Sequence, residues 1–107
     1  MYNFNCIIQE GVISDDLRPK LVSGLARVTT SILGGSPDDV EVEFTVIPHG
    51  YGFRGGELST TSMVRGTIPP GCEQETRVHL MQQLSDMWME LTGCTVDELV
   101  VSARDRE

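Results

Sequence analysis

The chain has 107 residues, 39% of them hydrophobic, and a formal charge of -8 from 16 acidic and 8 basic side chains. That length suits one compact domain able to bury roughly two-thirds of its unfolded surface. The acidic balance excludes a general nucleic-acid binder, because neutralising phosphates takes clustered Lys and Arg. No apolar run approaches the ~20 residues needed to span a bilayer.

Tyr2, Phe4, Cys6 and Ile8 alternate with Asn3, Asn5, Ile7 and Gln9, which predicts a strand with one strongly apolar face. Glu10-Gly11 ends it. Ser14, Asp15 and Asp16 supply cap and dipole-favourable groups for a first helix, with Pro19 tolerated in the first turn. Leu21, Leu25, Val28 and Ile32 recur at helical spacing until Gly34-Gly35 stops them. After the turn Ser36–Asp39, Val40, Val42, Phe44 and Val46 alternate with Glu41, Glu43 and Thr45 as a second strand. Pro48–Gly56 is a loop with four glycines and the aromatics Tyr51 and Phe53. A third strand is expected over Ser62–Ile68, broken by Pro69-Pro70-Gly71. The second helix is expected from Glu73 to Thr92, burying Val78, Leu80, Met81, Leu84, Met87, Trp88 and Leu91. Gly93 ends it, Leu99–Ala103 forms the last strand, and the charged Arg104–Glu107 reads as a frayed tail.

Residues 14–42 and 73–101 are two copies of one unit at an offset of 59. Arg18 matches Arg77, Leu21 matches Leu80, Leu25 matches Leu84, Gly34 matches Gly93, Asp38 matches Asp97 and Val42 matches Val101. Such a repeat predicts one domain over 1–107, with a first β-α-β over about 1–60 and a second over about 61–107. Right-handed crossovers place both helices on one face of a four-stranded sheet, an α/β (α+β two-layer) architecture. The other face then carries Asn3, Asn5, Glu41, Glu43, Thr45, Arg65 and Thr67 beside Ile7, Met63 and Val100. Sheets with crossover helices seldom leave a face bare, so its burial by other subunits is expected, with Arg65 pairing a glutamate there.

Strand, Glu10-Gly11, acidic helix, Val-x-Val strand and His49–Leu58 closing on Gly-Gly-Glu-Leu together resemble the tautomerase superfamily. The doubled unit is similar to its longer members, the cis-3-chloroacrylic acid dehalogenase and macrophage migration inhibitory factor groups. The resemblance implies a trimer and a pocket for small unsaturated or 2-keto acids, worked by an amino-terminal proline. Tyr2 stands in the proline's slot, Val12 where an arginine follows Glu-Gly, Glu41 where the second strand carries another, and Pro69 and Cys72 where longer members cluster arginines. Proline-type tautomerase activity is therefore expected to be weak or absent. The alternatives are a non-catalytic binding or structural trimer, or the partner subunit of an active paralogue.

The candidate catalytic groups are the Met1 amine, whose pKa burial would lower, and the Tyr2 phenol. Against each stands the plainer reading of an ordinary terminus and a packed side chain. Arg54, between Tyr51 and Phe53 in the Gly-rich loop, is the candidate for gripping a carboxylate. Any activity would be isomerase, or a related lyase or hydratase on small carboxylic acids. No cofactor is expected. No CxxC occurs and only His49 and His79 could join a metal site, so no metal is expected either. Met1–Gln9 lacks the features of a signal peptide, so a cytoplasmic protein with reduced Cys6, Cys72 and Cys94 is expected. The expected partners are a small carboxylate ligand and copies of the chain as a homotrimer, with a hetero-oligomer as the alternative.

Overall fold

A computed structural model describes every residue from Met1 to Glu107. In chain order it contains β1 (Tyr2–Gln9), α1 (Arg18–Leu33), β2 (Val40–Ile47), β3 (Phe53–Arg54), β4 (Glu57–Leu58), β5 (Ser62–Ile68), α2 (Gln74–Thr92) and β6 (Leu99–Asp105). The main sheet runs β2-β1-β5-β6, and β3-β4 form a separate hairpin. β1 pairs in parallel with β2 from Tyr2 opposite Val40 to Gln9 opposite Ile47. β5 pairs in parallel with β6 from Ser62 opposite Leu99 to Ile68 opposite Asp105. Parallel neighbours need a long crossover, which is what each helix supplies. The inner strands β1 and β5 are antiparallel, with Asn5 opposite Arg65, Asn3 opposite Thr67 and Ile7 opposite Met63. A pseudo-twofold axis therefore passes between Asn5 and Arg65 and exchanges the two β-α-β units.

Local chemistry explains the boundaries. Ser14 accepts from the Asp16 amide at 3.3 Å and opens a 3₁₀ turn, Asp15–Leu17, that leads into α1 with Pro19 in its first turn. Gly34 (φ 90) and Gly93 (φ 75) end the two helices in backbone conformations that side chains resist. Matching strand faces give a shift of 60 between β1 and β5, since the buried set Tyr2, Phe4, Cys6, Ile8 corresponds to Ser62, Val64, Gly66, Ile68. In the helices the shift is 59, so the path from strand to helix is one residue shorter in the second unit: Ile68 to Arg77 is nine steps where Ile8 to Arg18 is ten.

Both helices lie on one face. The core joins Phe4, Cys6 and Ile8 of β1 and Leu21, Leu25 and Val28 of α1 to Val64 and Ile68 of β5 and Leu80, Leu84, Met87 and Trp88 of α2. Each fully buried aliphatic side chain contributes about 1.5–3 kcal/mol over leaving it exposed. Two expectations are corrected. Val78 is 39% exposed, because it lies two residues, about 200° of turn, from Leu80 on the buried stripe. The tail is built in as far as Arg106: β6 continues through Asp105, Arg106 donates its amide to the Ile68 carbonyl at 2.7 Å, and Arg77 pairs with Asp105 at 2.6 Å.

Candidate functional site

Tyr2 is 8% exposed, and its phenol donates to the carbonyls of Gly34 at 2.8 Å and Leu33 at 3.3 Å. Those carbonyls belong to the end of α1, where the helix leaves acceptors without internal partners. Met1 is exposed, and its carbonyl accepts from Arg106 Nη1 at 3.4 Å. Arg104 stands in register with Thr67, itself opposite Asn3, so a second arginine reaches the same end of the sheet. Sequence reading left both arginines in a frayed tail. The signal was in the topology, since a β6 parallel to β5 and a β5 antiparallel to β1 return the last residues to the first.

The hairpin holds the other candidates. Phe53 pairs with Leu58 and Arg54 with Glu57. Tyr51 and Phe53 are 80% and 67% exposed, so neither packs into the chain's own core. Arg54 Nη1 donates to the Asp97 carbonyl at 2.8 Å, which ties the hairpin to the turn before β6. A second tie runs from the Thr60 hydroxyl to Glu98 Oε2 at 2.7 Å, while Glu98 Oε1 accepts from the Thr95 amide at 2.9 Å. The Thr95 amide first, then the Thr60 and Thr95 hydroxyls, hold the Glu98 carboxyl below its ordinary range.

Beside the hairpin, at the carboxyl ends of β1 and β2, a cleft of about 310 Å³ is lined by Glu10, Val12, His49, Leu58 and Thr60 among others. Glu10 Oε1 accepts from the His49 amide at 3.1 Å, which joins the ends of the two strands. Neither Glu10 nor His49 was picked out as a site residue from the sequence, although strand carboxyl ends are where open α/β sheets keep their ligand crevices.

The candidates thus fall into two groups. Met1 and Tyr2 stand together at one end of β1, while Tyr51, Phe53 and Arg54 follow its other end. Seven strand residues, Asn3–Gln9, lie between Tyr2 and that other end, about 23 Å at ~3.3 Å per residue. Among the cysteines, burial pushes the Cys6 thiol up to about 12, so it stays protonated and inert. Cys72 is half-buried just ahead of α2, with its thiol near the Glu73 carbonyl at 3.5 Å. No three His, Cys, Asp or Glu side chains gather so as to hold a metal ion, and no helix is long and apolar enough to cross a membrane.

No protein-family model and no curated protein sequence matches the chain. Solved structures match it over nearly its whole length. Native Ps01740 superposes with a TM-score of 0.92 at 27% identity, covering 97% of this chain and 93% of that one. Pt0534, crystallised after inactivation by 2-oxo-3-pentynoate, gives 0.88 at 23% identity over 97% and 85%. A fused 4-OT asymmetric trimer gives 0.88 at 17% identity over 97% and 85%. A four-stranded mixed sheet covered on one face by two helices, with neighbours of this kind, defines a class. The chain has the tautomerase-superfamily fold.

Proposed function

We propose that the chain assembles as a homotrimer whose pocket for small unsaturated or 2-keto carboxylic acids forms between copies, with proline-type tautomerase activity weak or absent. The Met1–Tyr2 end of one copy would meet the Tyr51, Phe53 and Arg54 hairpin of another. The observation that carries this reading is the separation of the two groups along β1, about 23 Å, which no single chain closes. The exposed Tyr51 and Phe53 give the hairpin an apolar grip to offer a neighbour. Arg54 keeps donors beyond the Asp97 contact for a carboxylate. Its neighbours' assemblies and ligands support the reading by fold alone. Pt0534 is a protein inactivated by a 2-oxo acid, and fused 4-OT forms trimers. The Met1 amine would serve as the base, and the cytoplasm suits the free thiols.

A second reading, a non-catalytic binding or structural trimer or the partner subunit of an active paralogue, is favoured by one contact. The Tyr2 phenol already serves two helix carbonyls and so is not free to act on a ligand.

The test is proton transfer on an enolisable aryl pyruvate, with intact mass confirming the amino terminus. Arg54-dependent turnover is expected to be slow in the wild type, and Tyr2→Pro should raise it. Turnover unchanged by Arg54→Ala removes the hairpin from the site. No turnover in the wild type or in Tyr2→Pro favours the silent trimer. A stable homotrimer of the purified chain counts against obligatory hetero-assembly.

A further inference from the structure

The axis that exchanges the two units also shows where they fail to match. In the first unit the Tyr2 ring lies against the end of α1. Its Cε2 stands 3.7 Å from where a Cβ on Gly35 would sit, and its hydroxyl bonds the Gly34 and Leu33 carbonyls. The same places in the second unit hold Ser62 for Tyr2, Thr92 and Gly93 for Leu33 and Gly34, Cys94 for Gly35, and Glu98 for Asp39. Those five counterparts, with Val12 and Ile13, line a cavity of about 200 Å³. Serine in place of tyrosine leaves the volume of a phenol ring unfilled. Ile13 corresponds to Cys72 and Cys94 to Gly35, so larger neighbours take up part of that volume, and the cavity is the remainder. An apolar cavity of about 150 Å³ already holds benzene, so this one admits a substituted ring.

The polar groups on its wall have committed their protons elsewhere. The Thr92 hydroxyl donates to the Trp88 carbonyl at 2.8 Å and accepts from the Cys94 amide at 3.3 Å. Glu98 Oε1 accepts from the Thr95 amide and hydroxyl, while Oε2 accepts only from Thr60 and keeps a lone pair. No side chain donates to the Thr92 carbonyl, which the end of α2 leaves without an intrahelical partner. The glycine carbonyls do not correspond, because ψ is 179° at Gly34 and 9° at Gly93. Glu98 and Thr92 are therefore the acceptors, beside the apolar Val12 and Ile13. We infer that the cavity is a binding site for a small neutral phenol, its ring lying as Tyr2 lies in the first unit and its hydroxyl donating to Glu98 or to the Thr92 carbonyl. The Glu98 charge repels a carboxylate, so this ligand differs in class from the acid proposed above. The site needs neither the trimer nor Arg54, and stands or falls apart from that reading.

The probe is p-cresol, the tyrosine side chain as a free molecule, titrated into the isotope-labelled full chain while amide chemical shifts are followed. Saturable shifts centred on Ser62, Gly93 and Cys94 are expected, with a dissociation constant near millimolar. Toluene, which lacks the donor, should bind at least about 10-fold more weakly. The carboxylate p-toluate should not compete. S62Y/C94G rebuilds the first unit's tyrosine and glycine in the second, and should abolish binding by filling the cavity. If that variant does not fold, the wild-type titrations decide alone. Shifts centred away from the cavity, or none up to the solubility limit of p-cresol, overturn the inference. So do toluene binding as tightly as p-cresol, displacement by p-toluate, and undiminished binding to folded S62Y/C94G.

Discussion

Tyr2 shows how one residue can answer a functional question with a structural contact. Its ring fills the start of the apolar face of β1, and its hydroxyl reaches the last carbonyls of α1. The residue that occupies the catalytic slot by resemblance therefore serves as the clasp between the first strand and the first helix. Tyr2→Phe removes only the oxygen. It should cost about 1 kcal/mol of stability by chemical denaturation, the usual net value of such a hydrogen bond. An unchanged midpoint would mean that water satisfies those carbonyls equally well. The side-chain alternation made the burial of Tyr2 legible, but not its bond to Gly34, because that depends on where a helix beginning sixteen residues later comes to an end.

The elements followed their sequence signals closely wherever a period was long. β1 and β5 fall on the alternating stretches, and both helices stop at the glycines expected to stop them. By its own pattern the hairpin was legible only as a Gly-rich loop, since two residues on each side are too short for a period, and its pairing was implied by the family resemblance of His49–Leu58. Arg54 looked free in that loop because Asp97, its partner, lies in a turn more than forty residues away. Glu98 is the other half of that anchorage and carries a pH dependence. Its carboxyl is held below the ordinary value, so the stability it lends is complete above the unfolded pKa of about 4.3 and is lost as pH falls through the folded one. Glu98→Gln should lower the melting temperature near neutrality, and the gap to wild type should close on acidification below about pH 4. A gap that stays constant from neutral to acid pH would show that the Thr60–Glu98 tie does not hold the hairpin.

At the scale of the whole molecule, the question is whether a doubled unit folds as one body or two. Offset matching made the doubling visible, and it hid the single-residue difference between strand and helix shifts. The halves meet through β1 and β5, antiparallel neighbours at the centre of the sheet. The core does not divide along the repeat: Phe4, Leu21 and Leu25 from the first unit share one cluster with Val64, Leu84 and Trp88 from the second. Each unit alone would expose the inner edge of its sheet and half of that cluster. We therefore expect a single cooperative domain over 1–107, with Trp88 fluorescence, reporting on α2, and far-UV circular dichroism, reporting on both units, giving coincident transitions in denaturant. Because the proposed assembly links unfolding to dissociation, the shared midpoint should also rise with chain concentration. Transitions that separate, with Trp88 exposed while part of the helical signal persists, would show that the units fold independently. The repeat would then mark two small domains joined edge to edge.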